Sequence, residues 1–480
     1  MKTTIQFING HWAGAVGNGT WNLINPGTEE SLGEVSYGDG ADAELAIDAA
    51  AAAFKAWAHL NCYARAEILH KAATYIRAHT EEFAIDMVLE SGKLLPEAKG
   101  EWAVAANLFD WFGEEAKRNY GRIIPANRSD KRMSVIHQPL GVVGIITAWN
   151  FPAYNVARAL AAALAAGCTV VLKGSEFTPL SSMHMAESLE HSGIPAGVIN
   201  SINGDSASIG EAMLSRAEVR KISFTGSTRV GKLLMDGASK TNTRLNLELG
   251  GNAPVIITRN VDVAKLAKAA VLARFRNCGQ VCVAPQRFYV HEDIYSEFSK
   301  AVTQHTQAIK VGVGADAGST LGPLINARQR VHVLDLVSQA VAEGGKLQTG
   351  GVIPASLPKG YFVEPAVFTD VAQGSILTQA EIFGPVIPLI PYTSLSQAIT
   401  WANETEYGLA AYAFTSSLDE SVELSEELEF GIIGINEWAA HGTEGPFGGF
   451  KQSGQGHESG MEGLQAYLET KLISIGSLAV

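Results

Sequence analysis

Cys282 closes the stretch Arg276-Asn277-Cys278-Gly279-Gln280-Val281-Cys282, and Glu248-Leu249-Gly250-Gly251 lies upstream of it. Gly279 and Gln280 are poor core companions, which argues for a reactive thiol over a small buried hydrophobe. A thiolate in such a setting attacks a carbonyl carbon, and a carboxylate such as Glu248 then activates water to release the acyl group. The fold has to bring the two together. Cys278 is expected to pack inertly. Asn150, in Trp149-Asn150-Phe151-Pro152, offers a side-chain amide for a developing oxyanion; a structural Asn holding the turn before proline is the alternative.

The elements that must position these groups follow from periodicity. Residues 43–57, 65–79, 81–91 and 97–118 carry apolar residues at three- and four-residue steps and read as helices. Residues 135–139 and 141–146 are β-branched, bounded by Pro or Gly, and read as extended. Strands at 142–147, 169–173, 198–202 and 221–225 then alternate with helices at 155–166, from about 178, at 206–214 and at 227–238. A second block alternates strands at 253–257 and 287–290 with helices at 263–274 and 296–309. Later strands are expected at 361–363, 386–390 and 411–415. Such alternation means parallel sheets, with ligands at the carboxyl ends of the strands. The fold class is α/β, two lobes meeting at a cleft, with a loop carrying Glu248 near the crossover.

Two turns at those strand ends have binding chemistry. Ser227 follows Gly226 at a strand-to-helix turn, where free N–H groups suit a phosphate; an ordinary N-cap explains the same pattern. Lys173 and Glu176 follow another strand and suit a ribose diol, or form a solvated charged loop.

Composition bounds the partners. The 480 residues include 46% hydrophobic and 18% charged residues, enough for a large core in several domains. A net charge of −13 argues against nucleic acid. No apolar stretch is long enough to span a bilayer, and the beginning Met1-Lys2-Thr3-Thr4 lacks the features of a secretion signal. Four cysteines in such a length imply a reducing compartment, and a cytoplasmic location is expected. Cys278 and Cys282 have no accompanying ligand cluster, so no metal is expected.

With these pieces assembled, the chain resembles the aldehyde dehydrogenase superfamily over essentially its full length. The motifs are Trp149-Asn150-Phe151-Pro152, Lys173 with Glu176, Phe224-Thr225-Gly226-Ser227, Glu248-Leu249-Gly250-Gly251, Gly279-Gln280-Val281-Cys282, Glu381-Ile382-Phe383-Gly384-Pro385 and the run from Pro446 to Gly454. The resemblance implies two Rossmann-like lobes and a small β oligomerisation arm. Residues 1–121 with 142–250 would bind the cofactor, 251–448 would carry catalysis, and 122–141 with 449–480 would form the arm. It implies Cys282 as nucleophile, Asn150 in the oxyanion hole and Glu248 as the base for hydrolysis. Cofactor contacts are implied for Trp149, Lys173, Glu176, Gly226, Ser227, Gly231, Glu381 and Phe383. Glu176 should repel a 2′-phosphate, so NAD is expected ahead of NADP. Gly174 stands where the family usually has Pro, which loosens that expectation. A homodimer or homotetramer is expected.

Arg158 and Arg276 match positions where succinate-semialdehyde dehydrogenases carry Arg. A guanidinium pair would read a substrate carboxylate, although either Arg equally suits a structural acid. The serine that completes that site is replaced within Trp438-Ala439-Ala440-His441, so His441 is a candidate substrate contact. Ala284 stands where a relative has a second, redox-regulatory cysteine, so no such switch is expected. The expected substrate is succinate semialdehyde. The alternatives are glutarate semialdehyde, lactaldehyde or an aromatic aldehyde. Transfer of the acyl group to coenzyme A, or a non-catalytic structural role, ranks below them because Glu248, Cys282 and Asn150 are all present.

Overall fold

In the computed structural model, which describes residues 3–476, the chain forms two parallel sheets and a separate three-stranded arm. Helix α1 (Leu95–Glu115) precedes the first sheet. That sheet is built on β1 (Val142–Ile146), β2 (Thr169–Lys173), β3 (Ile199–Ile202), β4 (Val219–Thr225) and β5 (Arg244–Glu248). Their spatial order is β3-β2-β1-β4-β5, all parallel. The early strand Gln6–Ile8 pairs antiparallel with β3 at the edge, and from the central β1 the chain winds out to β3 and returns to β4. This places the reversal between β1 and β4, where the loops that follow diverge and leave a crevice.

β1 and β2 are buried at every position, and their apolar runs fit a sheet covered on both faces. The covering layers include α2 (Tyr154–Ala166), whose alanines allow close approach, and α1 packed against it. α1 buries Trp102, Phe109 and Phe112 completely. Each contributes roughly 1.5–3 kcal/mol relative to exposure. That burial anchors α1, and any polar group on its inner face is held as firmly as the core.

The second sheet contains β6 (Ala253–Ile257), β7 (Pro285–His291), β8 (Ala366–Thr369), β9 (Val386–Tyr392), β10 (Ala410–Phe414) and β11 (Ile432–Ile435). Its order is β8-β9-β7-β6-β10-β11, with Lys346–Thr349 antiparallel at the β8 edge. The arm pairs β12 (Leu468–Ile475) with Arg132–Pro139 along its whole length, and the latter with Arg122–Ile124.

The alternating strands and helices stand where periodicity places them, within a few residues. Three expectations change. Residues 361–363 are not a strand: Tyr361 donates its N–H to Pro26 and accepts from Leu324, so its backbone is committed to loops, and β8 starts after Pro365. Glu248 is not in a loop but ends β5, paired with Thr225. The segment 449–480 is not all arm, because Gly454–Gln455 adds an antiparallel strand to β5 in the first sheet. Residues 1–2 and 477–480, the outer ends of the expected cofactor and arm segments, lie outside the described residues. Among those described, no helix is long and apolar enough to cross a membrane.

Candidate active site

The turn Arg276–Gly279 follows the helix α3 (Val263–Phe275) and carries two residues in the left-handed region, Asn277 at φ 49° and Cys278 at φ 56°. Gly279 continues it at φ 72°, where a Cβ would sit 2.3 Å from the Gly384 carbonyl oxygen. Only glycine fits there. The turn throws Cys282 onto a cavity of about 320 Å³ while Cys278 points into the core. Burial pushes the Cys278 thiol far up, in keeping with inert packing.

Burial also raises the Cys282 thiol, to about 12; Arg158 opposes that rise, while Glu381 and Glu248 add to it. The resting nucleophile is therefore a thiol. Glu248 arrives from the end of β5 as a buried carboxyl, and neither of its oxygens has a hydrogen-bond partner among the described residues. Desolvation holds its pKa well above 4.5, with Arg158 pulling it down and Glu458 pushing it up. An unpartnered buried carboxyl costs stability, and one kept beside a cavity is a candidate acid or base.

Asn150 follows β1 and is buried. Its Nδ2 donates to the Gln280 carbonyl at 3.1 Å, and its Oδ1 accepts from Asn155 Nδ2 at 3.2 Å. The Asn155 bond orients the amide, so the donor nitrogen faces the loop that carries Cys282.

The cavity is walled by Phe151, Tyr154, Val281 and Phe447, with Arg158, Arg276 and His441 at its polar points. The two arginines differ. Arg158 is 1% exposed, pairs through Nε with Glu458, and stacks 4.0 Å from the Phe447 ring centroid. The carboxylate its Nε meets is thus the protein's own, while the residue still lines the cavity. Arg276 is exposed, forms no ion pair among the described residues, and lies 5.0 Å over the Phe151 ring. His441 is kept neutral, its pKa lowered to about 4 by burial and by Arg276 and Arg158.

The expected cofactor residues fall along the carboxyl ends of the first sheet and across the cleft. Lys173 Nζ bonds Glu176 at 2.9 Å and the Ser206 hydroxyl at 2.6 Å. Ser227 caps α4 (Thr228–Ala238) through a long 3.4 Å contact, leaving that helix end open to solvent. Gly226 precedes the cap in the same turn. Gly231 is different: it is buried one turn in, where a Cβ would meet Leu249 at 2.7 Å. That approach requires a glycine for packing, whatever else the position contacts. Trp149 and Phe383 meet edge-on at 5.5 Å from opposite lobes, and Glu381 accepts from Gly251 N–H at 2.9 Å with its carboxyl raised by burial to about 7. Among the described residues no group of three or more His, Cys, Asp or Glu is arranged to hold a metal.

Motif reading misses the residues that brace these loops: Lys93, Glu97, Glu101, Asn277 and Glu458. A signal existed for two of them. Glu97 and Glu101 are one turn apart beside Ala98, Trp102 and Ala105, acids on an otherwise apolar helix face.

The family described as Aldehyde dehydrogenase family matches residues 12–473. The mitochondrial succinate-semialdehyde dehydrogenase of Oryza sativa subsp. japonica is 43% identical over 478 residues, covering 100% of this chain and 90% of that one. An NADP(+)-named succinate-semialdehyde dehydrogenase of Escherichia coli is 40% identical over 469 residues, covering 98% and 97%. The solved structure of succinate-semialdehyde dehydrogenase from Burkholderia pseudomallei superposes with a TM-score of 0.96 at 40% identity, covering 98% of each chain.

The raised Glu248 carboxyl has a consequence for stability. Its folded value exceeds its unfolded one, so the folded chain retains a proton that the unfolded chain loses, and stability falls as pH rises above about 4.5. Glu248→Gln should flatten the decline in melting temperature between pH 5 and 8, roughly the span over which a buried carboxyl deprotonates. It should also lower kcat by about 10²–10⁴-fold, the usual loss for a general base. Parallel melting curves for the two proteins would contradict the assignment.

Proposed function

The chain belongs to the aldehyde dehydrogenase family, and from that premise we propose that it oxidises succinate semialdehyde to succinate with NAD. Cys282 loses its proton and attacks the aldehyde carbon, forming a thiohemiacetal whose oxyanion meets the Asn150 amide and the Cys282 N–H. NAD(P), when bound, supplies the hydride acceptor that converts this adduct to a thioester. Glu248 then takes a proton from water, which attacks the thioester carbon; the carboxylic acid leaves and the thiol is regenerated. The raised carboxyl suits that step, because a base with a pKa nearer the working pH accepts a proton more readily. A free carboxylic acid product, not an acyl-coenzyme A, follows from having this base in place.

One observation carries the substrate choice. Arg276 is a guanidinium without an ion-pair partner among the described residues, on the same cavity as Cys282. Its charge would hold the distal carboxylate of a short aldehyde while the other end reaches the thiol. Arg158, already paired with Glu458, supports this field without offering its Nε. His441, neutral and at the rim of the same cavity, would add one hydrogen bond. A second reading, glutarate semialdehyde, is favoured by the cavity's size of about 320 Å³ and its ring-lined wall, which leave room for one more methylene.

The residues fit a dinucleotide. Lys173 and Glu176 would hold the adenosine ribose, with Gly226 and Ser227 at the pyrophosphate and Glu381, Phe383 and Trp149 around the nicotinamide end. We assign NAD over NADP because the Glu176 carboxylate, held by Lys173, would repel a 2′-phosphate. A Cβ at Gly174 would sit 1.9 Å from the Ser182 hydroxyl, so a larger residue there requires Ser182 to move. The lobes divide as 3–121 with 142–250 for the cofactor and 251–448 for catalysis. The arm supports assembly as a homodimer or homotetramer: β12 is an edge strand, and Ile123, Leu472 and Ile475 are exposed at 87%, 57% and 63%.

Arg276→Ala should cut kcat/KM for succinate semialdehyde about 10–150-fold, the range for a charge-assisted hydrogen bond, with little change for butyraldehyde. Equal losses on both substrates in a steady-state panel would refute carboxylate recognition by Arg276. Glu176→Gln should raise the NADP-to-NAD ratio of kcat/KM roughly tenfold, from relief of charge repulsion. An unchanged ratio would remove Glu176 from cofactor choice.

A further inference from the structure

A buried ion pair stands behind the Asn150 turn, and nothing in the reaction above uses it. Lys93, just before α1, is wholly buried and pairs with Glu101 on α1. Its Nζ also donates to the main-chain carbonyl of Asn150 at 3.0 Å and lies 4.0 Å from the centroid of the Phe151 ring. Glu101 turns its other oxygen to the start of α2, accepting from the N–H groups of Ala153 at 2.8 Å and Tyr154 at 3.1 Å. One lysine–glutamate pair therefore ties both ends of the segment 150–154 to the rigid face of α1.

The same carbonyl receives a second bond, from Asn277 Nδ2 at 2.9 Å. Asn277 also donates to the Gln280 carbonyl at 3.2 Å, the atom to which the Asn150 side chain donates. Glu97, one turn before Glu101, accepts from the Asn277 main-chain N–H at 2.9 Å. α1 thus holds the oxyanion turn through Lys93 and Glu101, and the nucleophile turn through Glu97. The Asn150 amide spends one hydrogen on Gln280 and keeps the other for a ligand, so its position is set by how its own peptide is held.

We propose that Lys93 is a positioning residue for the Asn150 amide, acting through the Asn150 main-chain carbonyl. This rests on the reading of Asn150 as the oxyanion donor. A misplacement on the order of 1 Å at such a donor costs about 10²-fold in rate, so a mobile Asn150 peptide would register in the chemical step before it registered in substrate binding. The competing role is charge neutralisation alone, with Lys93 present only because Glu101 is buried.

Single-turnover formation of NADH separates the two. Lys93→Met should slow it by about 10–100-fold, with KM for aldehyde and NAD within about threefold of the parent. Because the effect passes through Asn150, the Lys93→Met/Asn150→Ala double variant should be no more than about threefold slower than Asn150→Ala alone. Lys93→Met/Glu101→Gln removes both charges, keeps the acceptor that caps α2, and provides a folded test if Lys93→Met alone is unstable. It should remain slow. Recovery of the parent rate in that variant, or multiplicative losses in the double variant with Asn150→Ala, would overturn the role of Lys93 alone. An unimpaired Asn150→Ala would instead remove the oxyanion assignment, and the role of Lys93 with it.

Discussion

The active loop depends on a strained turn. Asn277 and Cys278 both adopt positive φ, and for residues with side chains such a conformation costs about 1–3 kcal/mol each. Two of the hydrogen bonds that offset it come from far away in the chain, Glu97 on the Asn277 N–H and the Asn150 carbonyl on its side chain, and a third comes from the nearby Gln280 carbonyl. Gln280 adds a bond from its own amide to the Asn277 carbonyl and accepts from the Ile325 N–H. At about 0.5–1.5 kcal/mol net for each bond, this set is of the size needed to hold the turn. It determines which cysteine faces the cavity. Without it, Cys282 and Cys278 have no fixed orientation.

The electrostatics of the site follow from its dryness. A thiol raised to about 12 and a carboxyl that is also raised are both shifted by burial towards their uncharged forms. Arg158 is the cation that moderates both, and Glu458 holds it while also accepting from the Ser223 hydroxyl at 2.7 Å on β4. The raised pKa of Glu248 favours its uncharged form, which lowers the cost of burying a carboxyl with two unpartnered oxygens.

Much of this was legible in the chain. Strands such as Val142–Ile146 and Ala253–Ile257 are uninterrupted apolar runs, and their alternation with helices identifies buried parallel sheets. Cys282 stood out because Gly279 and Gln280 are unsuited to a core, and Glu248 and Asn150 through the chemistry of their side chains within short motifs. What stayed hidden was long-range. No local pattern shows that Arg158 meets Glu458 across 300 residues, or that Lys93 reaches the carbonyl of Asn150. The sequence also does not show that Gly231, inside a helix, is closely packed by Leu249. Residues 361–363 misled because Phe362 and Val363 are buried like strand residues while their backbone serves loops.

The central claim is a covalent acyl group on Cys282 that waits for Glu248 to release it. Its most direct test is peptide mass analysis of the Glu248→Gln enzyme after mixing with NAD and succinate semialdehyde. The account predicts one succinyl group on the peptide ending the turn, located at Cys282. An unmodified Cys282 with NADH formed, or the acyl group on Cys278, would contradict it.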